Sequence, residues 1–291
     1  MLAFATFEHY LSDMAKSSVN SPISPLIIVG LGAVGRTLAR EIARSKIAPL
    51  ILVGRGRAAE QRLAKQLKAA YLSDLSLLNI ISGTIWLTVS TSKIGRTSRQ
   101  LSELPLPWKR ICVFHASGSS GASVLGELAN RGAGVAACHP YQTFPKRAGR
   151  VKLDGILWGL DGNARGLRAA RGLTRRLRGI PVVIPEEHRL AYHASAVMAC
   201  TFMAANSEMA LTTLKRLGVR DRTARDAVFA IALETLRQVQ ELGLKHALTG
   251  PASRGDKKLV RRHVAALKEL DPAVAKVYGE ISEYILKSMT D

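Results

Sequence analysis

Apolar positions along this chain come first as short continuous runs and later as long stripes at helical spacing. Leu26–Val29 is an unbroken apolar run of the kind found in a strand buried on both faces. Similar runs at Leu50–Val53, Ile85–Val89, Ile111–Phe114, Val135–Cys138, Ile156–Leu160 and Val182–Ile184 predict further strands, with helical stretches between several of them. That alternation predicts an α/β fold with a doubly wound parallel sheet of Rossmann type. After Pro185 the pattern is helical only. Glu186–Leu217 reads as one long helix, with Pro185 just before it and Gly218 just after. Asp221–Leu242 reads as a second helix with Asp221 as its N-cap, and Lys257–Leu270 and Pro272–Met289 as two more. The expected organisation is therefore an extension and linker (1–25), a nucleotide-binding sheet domain (26–185) and an all-α domain (186–291). Within the extension, Phe4, Phe7, Tyr10, Leu11 and Met14 outline a short amphipathic helix. Several stretches of Glu186–Leu242 are apolar on more than one stripe, which asks for more than one neighbour and predicts a homodimer through the helices.

Composition narrows the setting. Hydrophobic residues make up 47% of 291, enough for a sizeable core. No apolar run reaches the roughly 18 residues a membrane span requires. Glu8 and Asp13 interrupt the opening segment, which lacks the layout of a signal peptide, so a soluble cytoplasmic protein is expected. Cys112, Cys138 and Cys200 lie far apart with no CxxC pair; no metal site is expected, and they read as small buried hydrophobes. The formal charge of +20 raises the question of a polyanionic partner. However, aromatics are only 5% and no nucleic-acid module is recognisable, so Arg168, Arg171, Arg175 and Arg178 read as one solvated basic stripe.

The chemistry starts at Gly30-Leu31-Gly32-Ala33-Val34-Gly35, a GxGxxG turn directly after an apolar strand and opening a helical stretch, Val34–Arg44. Gly30 permits the tight turn, Gly32 lets the backbone approach a pyrophosphate, and Gly35 allows close helix–strand packing. The free N–H groups of a helix N-terminus then face the phosphates. The second strand ends in Val53-Gly54-Arg55-Gly56-Arg57, and no acid stands between Glu41 and Glu60 to serve the ribose hydroxyls of NAD(H). Arg55 and Arg57 instead suit a 2′-phosphate, because the guanidinium fork offers charge and two aligned donors; NADP(H) is the expected cofactor. Two exposed loop arginines in a basic protein are the plainer alternative.

With these residues in view, the chain resembles the Rossmann-like proteins of the 6-phosphogluconate dehydrogenase and ketopantoate reductase superfamily, and within it a bacterial branch with a helical C-terminal domain of unknown function. Besides Gly30–Gly35, the likeness rests on His115-Ala116-Ser117-Gly118, on His139-Pro140-Tyr141-Gln142-Thr143-Phe144, on Tyr192-His193-Ala194, and on the stretch from Leu248 to Asp256. The resemblance implies an NADP-binding domain joined to a helical domain, often dimeric, and hydride transfer between NADP(H) and a small oxo, hydroxy or imine compound, ketopantoate reduction among the options. Two departures stand out. Val89-Ser90-Thr91 replaces a Val-Pro-Asp run, placing Ser90 beside the cofactor, and Thr201 stands where the family tends to have asparagine.

Reducing a carbonyl requires a hydride donor and a proton donor. His193 leads as proton donor, being near the start of the long helix where a helix could face the nicotinamide; packing at the domain junction is its other reading. His115 and Ser117 follow the strand Ile111–Phe114, where α/β sheets bind ligands, with turn formation as their alternative. His139, Thr201 and Arg254 are the substrate-side candidates, Arg254 for the carboxylate of an anionic substrate; an Arg254–Asp256 pair or a helix cap is the structural alternative. The competing functional reading is a dinucleotide-binding regulatory or interaction protein without turnover.

Overall fold

The computed structural model describes residues 24–145 and 151–288. The expected N-terminal helix lies outside the described residues. Packing divides the chain into two compact units, Met1–Val197 and Met198–Asp291.

The first unit is built on eight strands: β1 (Leu26–Val29), β2 (Leu50–Val53), β3 (Ala70–Leu72), β4 (Gly83–Leu87), β5 (Ile111–His115), β6 (Gly134–Pro140), β7 (Leu157–Gly162) and β8 (Ile180–Val183). Their order in the sheet is β3-β2-β1-β4-β5-β6-β7-β8. All neighbours are parallel except β6 and β7, which run antiparallel with His139 opposite Gly159 and Ala137 opposite Asp161. The expected parallel sheet of Rossmann type is present, with this one antiparallel pair added, and β3, a three-residue edge strand, joins the predicted set.

Alternate strand residues feed two cores. Ile28, Leu52, Trp86, Phe114 and Trp158 face one side, under α1 (Ala33–Arg44), α2 (Ala58–Leu67) and the helix Ala164–Arg176. Ile27, Ile51, Ile85, Leu87 and Val113 face the other, under α3 (Thr91–Ser102) and α4 (Gly126–Asn130). A strand apolar at every position has both faces covered, which is why these segments read as runs and not as alternations. The helix Ala164–Arg176, α5, turns Arg168, Arg171 and Arg175 of the expected stripe to solvent, while Arg178 lies past its end and pairs with Asp154 at 3.3 Å.

The expected single helix from Glu186 to Leu217 is instead a 3-10 turn (Glu186–His188), α6 (Arg189–Val197), a π-helical turn (Met198–Phe202) and α7 (Met203–Arg216). No glycine or proline marks these changes of winding in the sequence. The sheet ends at Val183, yet the first unit continues through α6, so His193 belongs to the same unit as the strands.

In the second unit α7 is followed by α8 (Asp221–Leu242), α9 (Leu244–Ala247), α10 (Lys257–Leu270) and α11 (Pro272–Ser288). Asp221 is the first helical residue and not the cap; its carboxylate pairs with Lys215 at 2.8 Å. Asp256 does cap α10, accepting the Leu259 N–H at 2.9 Å. This unit's own core consists of Leu211, Ala224 and Val228 with a few partly buried neighbours. No helix among the described residues is long and apolar enough to cross a membrane.

Candidate functional site

The glycine turn behaves as its chemistry requires. Gly30 has φ +96°, a conformation that costs an L side chain strain. A Cβ on Gly35 would lie 2.1 Å from the Gly30 carbonyl oxygen, so α1 can approach β1 only if that residue is glycine. Gly32 has open space around it, and α1 begins there without a side-chain cap or an acid in its first turn. Thr88, just past β4, donates its hydroxyl to the Gly30 carbonyl at 2.5 Å and pins the turn. Leu31 and Arg36 add a brace, the Arg36 guanidinium donating to the Leu31 carbonyl at 3.3 Å. Ala33 and Val34 open the helix. The N-terminus of α1 thus offers unclaimed N–H groups beside the end of β1, a cradle suited to a phosphate.

Glu60 supplies what the sequence reading lacked. It comes after the loop in the chain, but its carboxylate reaches back to accept the Arg55 N–H (2.8 Å), the Tyr71 hydroxyl (3.0 Å) and the Arg57 N–H (3.4 Å). Burial pushes its pKa up; those hydrogen bonds and the Arg57 charge outweigh that and hold it below the ordinary value. The loop is therefore shaped in advance. The Arg55 and Arg57 side chains project from it into solvent, in no ion pair or hydrogen bond among the described residues. Ser90, at the start of α3, is exposed.

Two strands over from β1, a second cluster gathers beyond β5. Strand spacing puts the ends of β1 and β5 roughly 10 Å apart. His115, the last residue of β5, is fully buried. Its Nε2 lies 2.9 Å from the Gly121 carbonyl, and its Nδ1 accepts the Ser117 N–H at 3.2 Å, so both ring nitrogens are used within its own loop. Burial, with the Arg189 charge, drives its pKa down to about 4. Ser117 accepts the Ser120 N–H and meets the Thr91 hydroxyl at 3.2 Å, fastening this loop to α3. Asp161 on β7 accepts the Ala122 N–H at 2.7 Å and fixes the loop's far end.

Gly118 lies at the centre. A Cβ there would be 2.6 Å from Nδ1 of His193 and 2.8 Å from Nε2 of His139. One imidazole comes from α6 and the other from β6, near its end. Nδ1 of His139 is 2.9 Å from the Tyr192 hydroxyl, and burial, then Arg189, His193 and His115, push the His139 pKa down to about 3. Burial holds Tyr192 up at about 12, so it enters this pair as a neutral phenol. Nδ1 of His193 is enclosed with no partner, while its Nε2 is not enclosed and has no partner among the described residues.

Beneath them lies Arg189, which sequence reading passed over as one basic residue among many. It is fully buried, donating to the Ser117 carbonyl at 2.9 Å and the Gly159 carbonyl at 3.5 Å, with its charge 5.6 Å from the Tyr192 ring centroid. No sequence signal separates it from the exposed arginines, because burial is set by how α6 docks. Ser117, His115, His139 and His193 are thus brought together. Thr201, on the π-helical turn, and Arg254 belong to the second unit. Thr201 is exposed, and the Arg254 guanidinium lies on the Thr249 carbonyl. Among the described residues no group of three His, Cys, Asp or Glu side chains is placed to hold a metal ion.

Comparison with known proteins supports the fold. Residues 156–285, under half of the chain, match the family model described as Domain of unknown function (DUF2520). No curated protein matches. Among solved structures, a Bacteroides fragilis protein assigned as an NADP oxidoreductase is similar with a TM-score of 0.74 at 23% identity, over 91% of this chain and 98% of that one. The imine reductase of Myxococcus stipitatus in complex with NADP+ is similar with a TM-score of 0.61 at 14% identity, over 91% and 94%. Plasmodium falciparum pyrroline carboxylate reductase with NADP bound is similar with a TM-score of 0.58 at 13% identity, over 90% and 99%. The chain has the Rossmann-type fold of these proteins.

Proposed function

We propose that this protein is an NADP(H)-dependent oxidoreductase that transfers a hydride to or from a small oxo, hydroxy or imine compound. The observation that carries this reading is the pair of sites past the carboxyl ends of the strands: an open phosphate cradle after β1, and two histidines converging on Gly118 after β5. Three structurally similar proteins are named for NADP or hold it. The residues present fit that cofactor. Gly32 and the first turn of α1 would hold the pyrophosphate, and Arg55 and Arg57 the 2′-phosphate, with Ser90 nearby.

When bound, the nicotinamide supplies or accepts the hydride. The chain's share is the proton and the geometry. His193 presents Nε2 as its free face, so in the reductive direction this atom gives the proton that completes the alcohol or amine. His139, Tyr192 and Gly118 fix the ring. His115, with both nitrogens committed, shapes the loop and is not assigned the proton. An anionic substrate agrees with the strongly positive chain, and ketopantoate and cyclic imines carrying a carboxylate are the first to try. Titration of NADPH, followed by its oxidation against these compounds, tests the reading.

We infer a cytoplasmic homodimer. In the helical unit Phe229, Ile231, Leu233 and Leu236 on α8 are exposed, and an apolar groove of about 960 Å³ is lined by Met209, Leu214, Ile231, Leu267, Val277 and Ile281. Surface of this kind asks for a partner. Light scattering is expected to give twice the 31.4 kDa chain mass, and a monomer at micromolar concentration would contradict it. A dinucleotide-binding protein without turnover is the second reading, favoured by the commitment of Arg254 to the Thr249 carbonyl.

A further inference from the structure

A fully buried arginine is costly. Taking a guanidinium out of water requires partners for its charge and for its five N–H donors. Arg189 is only partly compensated: two carbonyls accept from it and the charges of Asp161 and Glu186 act on it, but among the described residues its Nε has no partner and no carboxylate lies within ion-pair distance. A Met or Leu at this place would pack without that penalty, so the reason for arginine lies in what the guanidinium holds.

It holds two elements that are not neighbours in the sheet and that otherwise meet at the loop's far end, where Asp161 accepts the Ala122 N–H. Ser117 belongs to the loop after β5 and Gly159 to β7, while β6 runs between them and carries His139, opposite Gly159, one residue before its end. The fork therefore spans the end of β6. Residues 189, 192 and 193 are spaced i, i+3 and i+4, which puts them on one face of α6. Tyr192 covers Gly159, where a Cβ would lie 2.6 Å from the ring, and reaches His139; His193 stands over Gly118, the residue after the Ser117 carbonyl. We propose that Arg189 is the positioning residue of this site: by bridging the Ser117 and Gly159 carbonyls it sets the place where His139 and His193 converge on Gly118.

Electrostatics points the same way. His139 is faced by Arg189, Tyr192 and His193 from α6 and by His115 from β5; Asp161 on β7 acts on Arg189 and His115, and Glu186 acts on Arg189. Arg189 is the fixed charge among those that face His139, and it disfavours the imidazolium. His139 stays neutral, with Tyr192 on its Nδ1.

The kinetic consequence presupposes the oxidoreductase reading; the spectroscopic one does not. Arg189→Met removes the charge and the fork, whereas Arg189→Lys keeps the charge and loses the two-carbonyl bridge. In full-length protein without cofactor, the imidazole NMR signals of His139 and His193 should move in both variants, while those of His246 and His263 stay. The His139 titration should rise in Arg189→Met and rise less in Arg189→Lys. NADPH affinity should hold within about twofold, and kcat should fall on the order of 10²-fold with a smaller change in KM, as expected of a misplaced catalytic group. If Arg189→Met does not fold, the Arg189→Lys spectrum decides on the same criterion. Unmoved His139 and His193 signals in a folded variant, or loss of NADPH binding along with them, would overturn the proposal. A wild type without turnover would sink the oxidoreductase reading and leave the spectra to judge Arg189.

Discussion

His139 and His193 meet edge to face above Gly118, their ring centroids 5.8 Å apart and their planes at 88°. The ring nitrogens nearest Gly118 lie 2.6 Å and 2.8 Å from where a methyl group on that residue would stand, closer than a carbon contact allows. Gly118→Ala must therefore push at least one imidazole away. The expected result is a loss on the order of 10²-fold in kcat, since displacing a catalytic group by about 1 Å costs that much. NADPH affinity should be unchanged, because the Gly30–Gly35 turn is formed elsewhere. A Gly118→Ala enzyme with ordinary kcat would separate this pair from the chemistry.

The loop after β2 makes a second prediction. Glu60 preforms it, and the exposed Arg55 and Arg57 side chains project from it in no ion pair or hydrogen bond among the described residues. NADPH should bind more tightly than NADH by roughly tenfold or more, the preference disappearing in Arg55→Ala with Arg57→Ala. Calorimetric titration of both nucleotides checks this. Glu60→Gln, which keeps the shape and weakens the acceptor, should reduce the preference without abolishing it. Equal affinities in the wild type would contradict the assignment.

These two sites differ in how far the sequence discloses them. Gly30, Gly32 and Gly35 are legible because a local turn imposes their spacing, and the apolar runs disclose the strands because both faces of this sheet are covered. β3 escaped because Ala-Tyr-Leu at a sheet edge carries no pattern. The reversal of β7 escaped because strand direction depends on where the chain returns, which no local spacing encodes. The part Glu60 plays in the loop is not legible, because it depends on the first turn of α2 bringing its carboxylate back to the Arg55 and Arg57 N–H groups. Arg189 looks like any other arginine until α6 is docked. The histidines were visible as residues, but only the fold shows that His115 has spent both nitrogens while Nε2 of His193 stays open and without a partner among the described residues.

Buried neutral histidines also leave a signature in stability. The folded-state pKa values of His115 and His139 are depressed to about 4 and about 3, from 6.5. Below the unfolded value the unfolded chain takes up protons that the native protein refuses. Their contribution is thus fully present above about pH 6.5 and is lost as pH falls towards the folded values, by up to about 1.4 kcal/mol per pH unit for each histidine. Glu60, also lowered, adds its own loss only below its ordinary value of 4.5. Urea unfolding at about pH 7.5 and about pH 5 should show the fall, and His139→Gln should lessen it. A flat profile across that interval would mean that these rings are hydrated.

The account as a whole stands on NADPH consumption. Wild-type protein should oxidise NADPH in a saturable way with at least one member of a panel of 2-oxo acids, ketopantoate included, and carboxylated cyclic imines. In the same assay His193→Ala should lose roughly 10²–10⁴-fold in kcat while its NADPH dissociation constant stays the same. No consumption with any member of the panel, by protein shown to bind NADPH, would contradict the oxidoreductase reading in favour of a dinucleotide-binding protein without turnover; turnover that survives in a folded His193→Ala protein would remove His193 from the reaction.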